Sequence, residues 1–153
     1  MSLTISTETL ERYLRFPLQQ MAVQAGRLDD EQVNQRPAGE STNSVAVLIT
    51  HTCAVVDFWL GHVGRGLPSE RDRDSEFDTH ATVAQLQELV AATISRLTEH
   101  AEAFASGATV MTSEIREFLP EGDTTDGSLY LHVVEEVFQH LGHIDLSIDA
   151  ILS

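Results

Sequence analysis

The residues of this chain best suited to chemistry are a histidine on one apolar segment and a run of histidine and glutamate on another. The run His132-Val-Val-Glu-Glu-Val-Phe-Gln-His140-Leu-Gly-His143 spaces His132, Glu136 and His140 by four, which puts them on one side of a helix. On the same helical wheel His140 sits at the margin of an apolar stripe and Glu136 lies about 40° further round, while His132 and His143 fall further out. The inner pair is therefore Glu136 and His140. Far earlier in the chain, His51 falls among Val47, Val55 and Phe58, with Leu48 and Ala54 to either side, so helical geometry turns it toward the core.

A buried imidazole needs partners for two nitrogens, because an unpaired polar group in apolar surroundings costs about 1–3 kcal/mol. One carboxylate and one imidazole on successive turns, facing a third imidazole from another helix, would meet that need by holding a divalent metal ion. Three such donors with a fourth position left for water or substrate are a common way of holding catalytic zinc. The expected ligands are His51, Glu136 and His140, and the expected ion is Zn²⁺, with Ni²⁺ or another divalent ion as alternatives. A hydrogen-bonded core histidine and an exposed Glu–His pair account for the same residues without a metal, and periodicity leaves both readings standing. His143 and His132, one turn to either side, are candidates for supporting or substitute ligands. His62, His80 and His100 read as solvent-facing, Glu135 and Asp145 as exposed charges, and Asp57 lies on a different side of its helix from His51. Cys53, the single cysteine, excludes an internal disulfide and reads as a small buried hydrophobe.

The elements that must position these groups are helical. No segment shows the bounded alternation a strand needs, and four segments carry helical periodicity, so the fold class reads as an all-α four-helix bundle in one domain spanning residues 1–153. The first helix is predicted from about Ser6 to Arg27, with Leu10, Tyr13, Leu14, Met21 and Leu28 on its buried side and Pro17 bending or breaking it. A polar connector follows, and Asn43 or Ser44 caps a second helix that ends at Gly64 and Gly66. The stretch Arg65 to His80 reads as charged and irregular. Thr82 with Gln85 forms a capping box opening a third helix to about Ala105, closed by Gly107. A connector from Ala108 to Gly127 holds at most a short turn between Val110 and Leu119. Asp126 or Ser128 then caps a fourth helix to about Leu152, apolar at Tyr130, Val133, Val134, Val137, Leu141, Ile144, Ile148 and Ile151.

Composition narrows the partners. The 153 residues carry 24 acidic against 9 basic side chains, a formal charge of -15, which repels phosphate backbones and anionic lipid. Nucleic acid and membrane are excluded as expected partners. Arg65, Arg71 and Arg73 cluster after the second apolar segment, where solvated loop arginines or a local anion site are the two readings. The start of the chain shows no basic region followed by an apolar run, so a cytoplasmic location is expected. There is no phosphate-binding glycine loop, nucleophile elbow or calcium loop.

The run Asn43-Ser-Val-Ala-Val-Leu-Ile-Thr-His51 with Asp57-Phe-Trp-Leu60, the segment Arg71-Asp-Arg-Asp-Ser-Glu-Phe77, and the His132–His143 run together resemble the DinB-like superfamily. The stretch Leu28-Asp-Asp-Glu-Gln-Val-Asn-Gln-Arg-Pro37 resembles that family's first connector. The resemblance implies a four-helix bundle with a metal held by three side chains, one from the second helix and two from the fourth. The usual set is three histidines. Glu136 departs from it, and the resulting His, Glu, His set is similar to that of the mycothiol-dependent maleylpyruvate isomerase branch. What this implies is a metal-dependent transferase or isomerase that uses a low-molecular-weight thiol of the mycothiol or bacillithiol type against a small electrophile. Two rival readings remain: a hydrolase using metal-bound water with His143 or His132 as base, and a non-enzymatic, metal-stabilised homodimeric binding module.

Overall fold

The computed structural model describes residues 4–110, 119–120 and 123–153. Its helices are α1 (Thr7–Ala25), α2 (Val45–Val56), which continues as a π-helical segment (Asp57–Gly64), a single turn α3 (Arg73–Glu76), α4 (Val83–Ser95), α5 (Leu97–Ser106) and α6 (Asp126–Leu152). The described residues include no strand. The expected turn between Val110 and Leu119 lies largely outside the described residues.

Local sequence accounts for most of these boundaries. Ser6 and Ser44 accept hydrogen bonds from Thr9 N and Val47 N as N-caps of α1 and α2, satisfying amides that have no partner within their helices. Thr82 and Gln85 form the expected capping box of α4. Gly66 and Gly107 have φ of 71° and 69°, a left-handed conformation that any side chain would strain, and Gly107 ends α5 as a C-cap. The fourth helix is capped by Thr125 rather than by Asp126 or Ser128: Thr125 Oγ1 accepts from Ser128 N at 3.2 Å, and Asp126 accepts from Thr109 instead.

Of the two outcomes expected at Pro17, the break does not occur, and one other helix differs from expectation. α1 runs unbroken through Pro17. Its neighbours Leu14, Leu18 and Met21 are fully buried, and packing of that stripe outweighs the roughly 3 kcal/mol a proline costs inside a helix. The predicted third helix is two, α4 and α5, broken at Arg96.

α1 packs on α4, α5 and α6, and α2 packs on α4 and α6. The ring around the core is thus α1, α4/α5, α2, α6, with the first two long helices across a diagonal. The connector between them crosses the bundle and is pinned there. Asn34 exchanges two hydrogen bonds with the backbone of Ala81, Asp30 accepts from Val83 N, and Arg36 donates to the carbonyls of Thr42 and Phe77. Tyr13, expected to be buried, is 57% exposed on α1, with Phe16 beside it at 55%. The stretch Gly39–Gly64 is long and apolar enough to span a bilayer by composition, and most of it is buried inside the bundle, as a core helix would be.

Candidate metal centre

His51 sits in the second turn of α2, 8% exposed among the valines predicted to surround it. Glu136 and His140 reach it from α6, and one donor atom from each of the three residues lies within 4.8 Å of the others. The His51 and His140 rings meet edge to face at 5.0 Å between centroids, and His140 Nε2 lies 3.5 Å from Glu136 Oε2. Bonds of about 2.0–2.1 Å to a tetrahedral zinc hold two ligands roughly 3.3 Å apart. The Glu136–His140 spacing matches that value, and small side-chain rotations would close the remainder. Burial first, and then the neighbouring His51, push His140 below the usual histidine range, favouring the neutral imidazole that a metal ligand must be. The donor set therefore fits a divalent ion.

The partner that His51 finds on its other side was not foreseen. Glu76 Oε2 lies 2.6 Å from His51 Nδ1, in a stretch read from sequence as irregular. Asp72 caps the single turn of α3 by accepting from Asp74 N and Ser75 N, and that turn delivers Glu76 to the core at 5% exposure. Arg71 grips the same carboxylate with both ends of its guanidinium, at 2.6 and 3.0 Å. Burial opposes the charge on Glu76, but the hydrogen bonds from Arg71 and His51 outweigh it and hold the carboxyl below its ordinary range. The usable signal in the sequence was an Asp cap four residues before a glutamate, too short a pattern to register as a helix.

Beside the three donors opens a cleft of about 560 Å³ lined by His51, Val55, Phe58, Trp59, Arg71, Arg73, His132 and Glu136. The π-helical turn supplies Phe58 and Trp59, at a point where the helix adds a residue per turn, a feature often found at functional sites. Trp59 packs edge to face on His132.

A model of the family described as mycothiol S-transferase matches residues 9–148. The chain belongs to the mycothiol S-transferase family. The match covers every residue of the cluster and both the connector and the arginine segment singled out above. No curated protein and no solved structure matches.

For this mycothiol S-transferase family member the structure also sorts the remaining candidates. His132 lines the cleft, whereas His143 is exposed on α6, close enough for its charge to act on His140. His100, expected in solvent, is 2% exposed: its Nδ1 accepts from Arg65 at 3.2 Å, and burial pushes its pKa down to about 4. His100 lies on the same buried stripe as Leu86, Val90, Thr93, Leu97 and Phe104, whose steps of three and four run on through Arg96. Asp145, read as exposed, is half-buried. Asp57 pairs with Arg96 at 2.6 Å and not with His51. Cys53 is buried, and burial pushes its thiol up to about 12. The three arginines part company. Arg65 serves His100, Arg71 serves Glu76 with its guanidinium 5.1 Å from the Phe58 ring centre, and Arg73 stands exposed over Phe77 at 5.6 Å.

Proposed function

We propose that the protein is a metal-dependent thiol S-transferase that joins a low-molecular-weight thiol of the mycothiol class to a small electrophile. His51, Glu136 and His140 hold the divalent ion, of which Zn²⁺ suits two imidazoles and a carboxylate best. The observation that carries this reading is the meeting of those three donors beside a cleft that His51 and Glu136 help to line, in a member of the mycothiol S-transferase family.

A bound divalent ion lowers the pKa of a thiol that coordinates it and presents sulfur as the nucleophile. The chain supplies the rest. His51, Glu136 and His140 fix the place of the sulfur between α2 and α6. Val55, Phe58 and Trp59 form an apolar wall that excludes water from the reacting atoms and receives the body of the electrophile. A sulfur–carbon bond forms as the bond to the leaving group breaks, and the thiol proton departs with that group. Arg73 makes no ion pair among the described residues, so the mouth of the cleft favours electrophiles that carry a carboxylate or similar anion. As a homodimer, the chain would cover Tyr13, Phe16, Leu131 and Phe138, exposed neighbours on α1 and α6.

Metal analysis of untagged protein, beside His51→Ala and His140→Ala, tests the site. About one ion per chain in the parent and loss in both variants is the expected result. The loaded parent should then turn over electrophiles only when a thiol is added. Turnover without thiol would replace this reading with hydrolysis by metal-activated water, and an absence of metal even after reconstitution would sink both.

A further inference from the structure

Holding a metal needs more than three ligands, because a histidine offers a lone pair to an ion only in the right tautomer and ring orientation. A neutral imidazole has one N–H donor and one bare nitrogen, and whichever nitrogen meets an acceptor keeps the proton. In this protein the acceptor is in place: Glu76 Oε2 stands 2.6 Å from His51 Nδ1, with both side chains buried. We infer that Glu76, seated by the bidentate grip of Arg71, is a positioning residue that keeps the proton on His51 Nδ1 and turns the bare Nε2 toward Glu136 and His140. This rests on the reading that those three side chains hold the metal.

The surrounding structure is built to deliver that carboxylate. α3 is a single turn, packed on α2 and ending at Glu76, and Arg36 anchors the next carbonyl, that of Phe77, from the diagonal connector at 3.1 Å. The Phe77 ring packs at a tilt against His51 at 5.3 Å between centroids, so the imidazole has an aromatic neighbour as well as the carboxylate at Nδ1. An ion pair serving stability alone has no need of a buried histidine, since Arg71 and Glu76 could meet equally well at the surface, where neither would be desolvated. Burying the pair against Nδ1 makes sense if the orientation of His51 is what matters.

Glu76→Gln tests the inference while keeping size. Glutamine turns one terminus of the carboxylate into an NH2 donor, which faces the Arg71 Nε–H if it takes the Oε1 place and faces both Arg71 and His51 Nδ1 if it takes the Oε2 place, and the charge is gone in either case, so the grip on Nδ1 is weakened or lost. Zn²⁺ affinity, measured by competition with a chromogenic chelator, is expected to fall 10–100-fold, the usual effect of removing such an outer partner, with circular dichroism unchanged. A second readout needs neither metal nor a Glu76 variant. In the metal-free, ¹⁵N-labelled parent at alkaline pH, the His51 signal, assigned by its loss in His51→Gln, should report the proton on Nδ1. The proton on Nε2 in the parent would overturn the inference, as would a Glu76→Gln affinity within twofold of the parent's. A parent that binds no Zn²⁺ would refute the metal reading alone, and the ring tautomer would still decide the role of Glu76.

Discussion

Replacing Arg71 by methionine keeps an unbranched apolar stem and deletes the guanidinium, along with its contact to the Phe58 ring. The structure shows what is lost: two charge-assisted hydrogen bonds, at 2.6 and 3.0 Å, to a carboxylate whose side chain is 6% exposed. Removing one partner of a buried ion pair costs about 3–5 kcal/mol. Glu76 keeps His51 as a partner, so the expected loss is at the lower end, about 3 kcal/mol at neutral pH. That corresponds to a fall in Tm of about 6–12 °C for a domain of this size. The penalty also has a pH signature. In the parent, Glu76 titrates below the ordinary glutamate value of about 4.5, so its contribution is present above that value and is lost as pH falls through the lower native one. In the variant, burial still penalises the charged form and only His51 opposes it, so the carboxyl titrates higher and protonation relieves the penalty. The gap between parent and variant should therefore narrow as pH falls from 7 toward about 4. Urea unfolding in the presence of chelator, followed by the fluorescence of Trp59, the single tryptophan, measures it. A gap under about 1 kcal/mol at pH 7 with unchanged m, or one that does not vary with pH, would refute the reasoning.

Three further outcomes are expected. A Cβ at Gly64 would lie 2.6 Å from Phe104 Cζ, and Phe104 is itself held against Tyr130. Gly64→Ala should thus lower stability by about 1–2 kcal/mol despite better helix propensity, and Phe104→Leu in the same chain should recover most of that loss in a double-mutant cycle. Cys53, 1% exposed and with its thiol pushed up to about 12, should resist a disulfide reagent at pH 8 until denaturant is added, and prompt labelling of native protein would contradict its burial. Arg73→Ala should raise KM for electrophiles bearing a carboxylate several-fold and leave KM for their neutral analogues nearly unchanged; an equal effect on both would remove Arg73 from substrate selection.

Local physics made much of this protein legible in one dimension. The period of apolar residues placed the four long helical segments, because a helix must bury one stripe wherever it packs. Ser6, Ser44, the Thr82–Gln85 box and Gly107 marked termini, since caps answer unpaired groups within the same few residues. The same reasoning turned His51 inward and chose Glu136 and His140 over His132 and His143, because all of these are statements about one helix at a time. It failed where the answer depended on another element. Tyr13 lies next to the stripe of α1 but outside the partners that cover it, and His100 sits on the continuous stripe of α4 and α5, where Arg65 from the end of the π-helical segment supplies the partner for a buried imidazole. Glu76 was missed for a related reason: a single turn has no period, and its burial follows from the crossing connector that holds α3 against α2 through Arg36. Only tertiary structure could place α1 diagonally from α2, bring α6 beside α2, and let one imidazole face a carboxylate from each side. Those contacts join residues 25 and 85 or more positions apart, and the periodicity of one segment says nothing about which distant segment will cover its face.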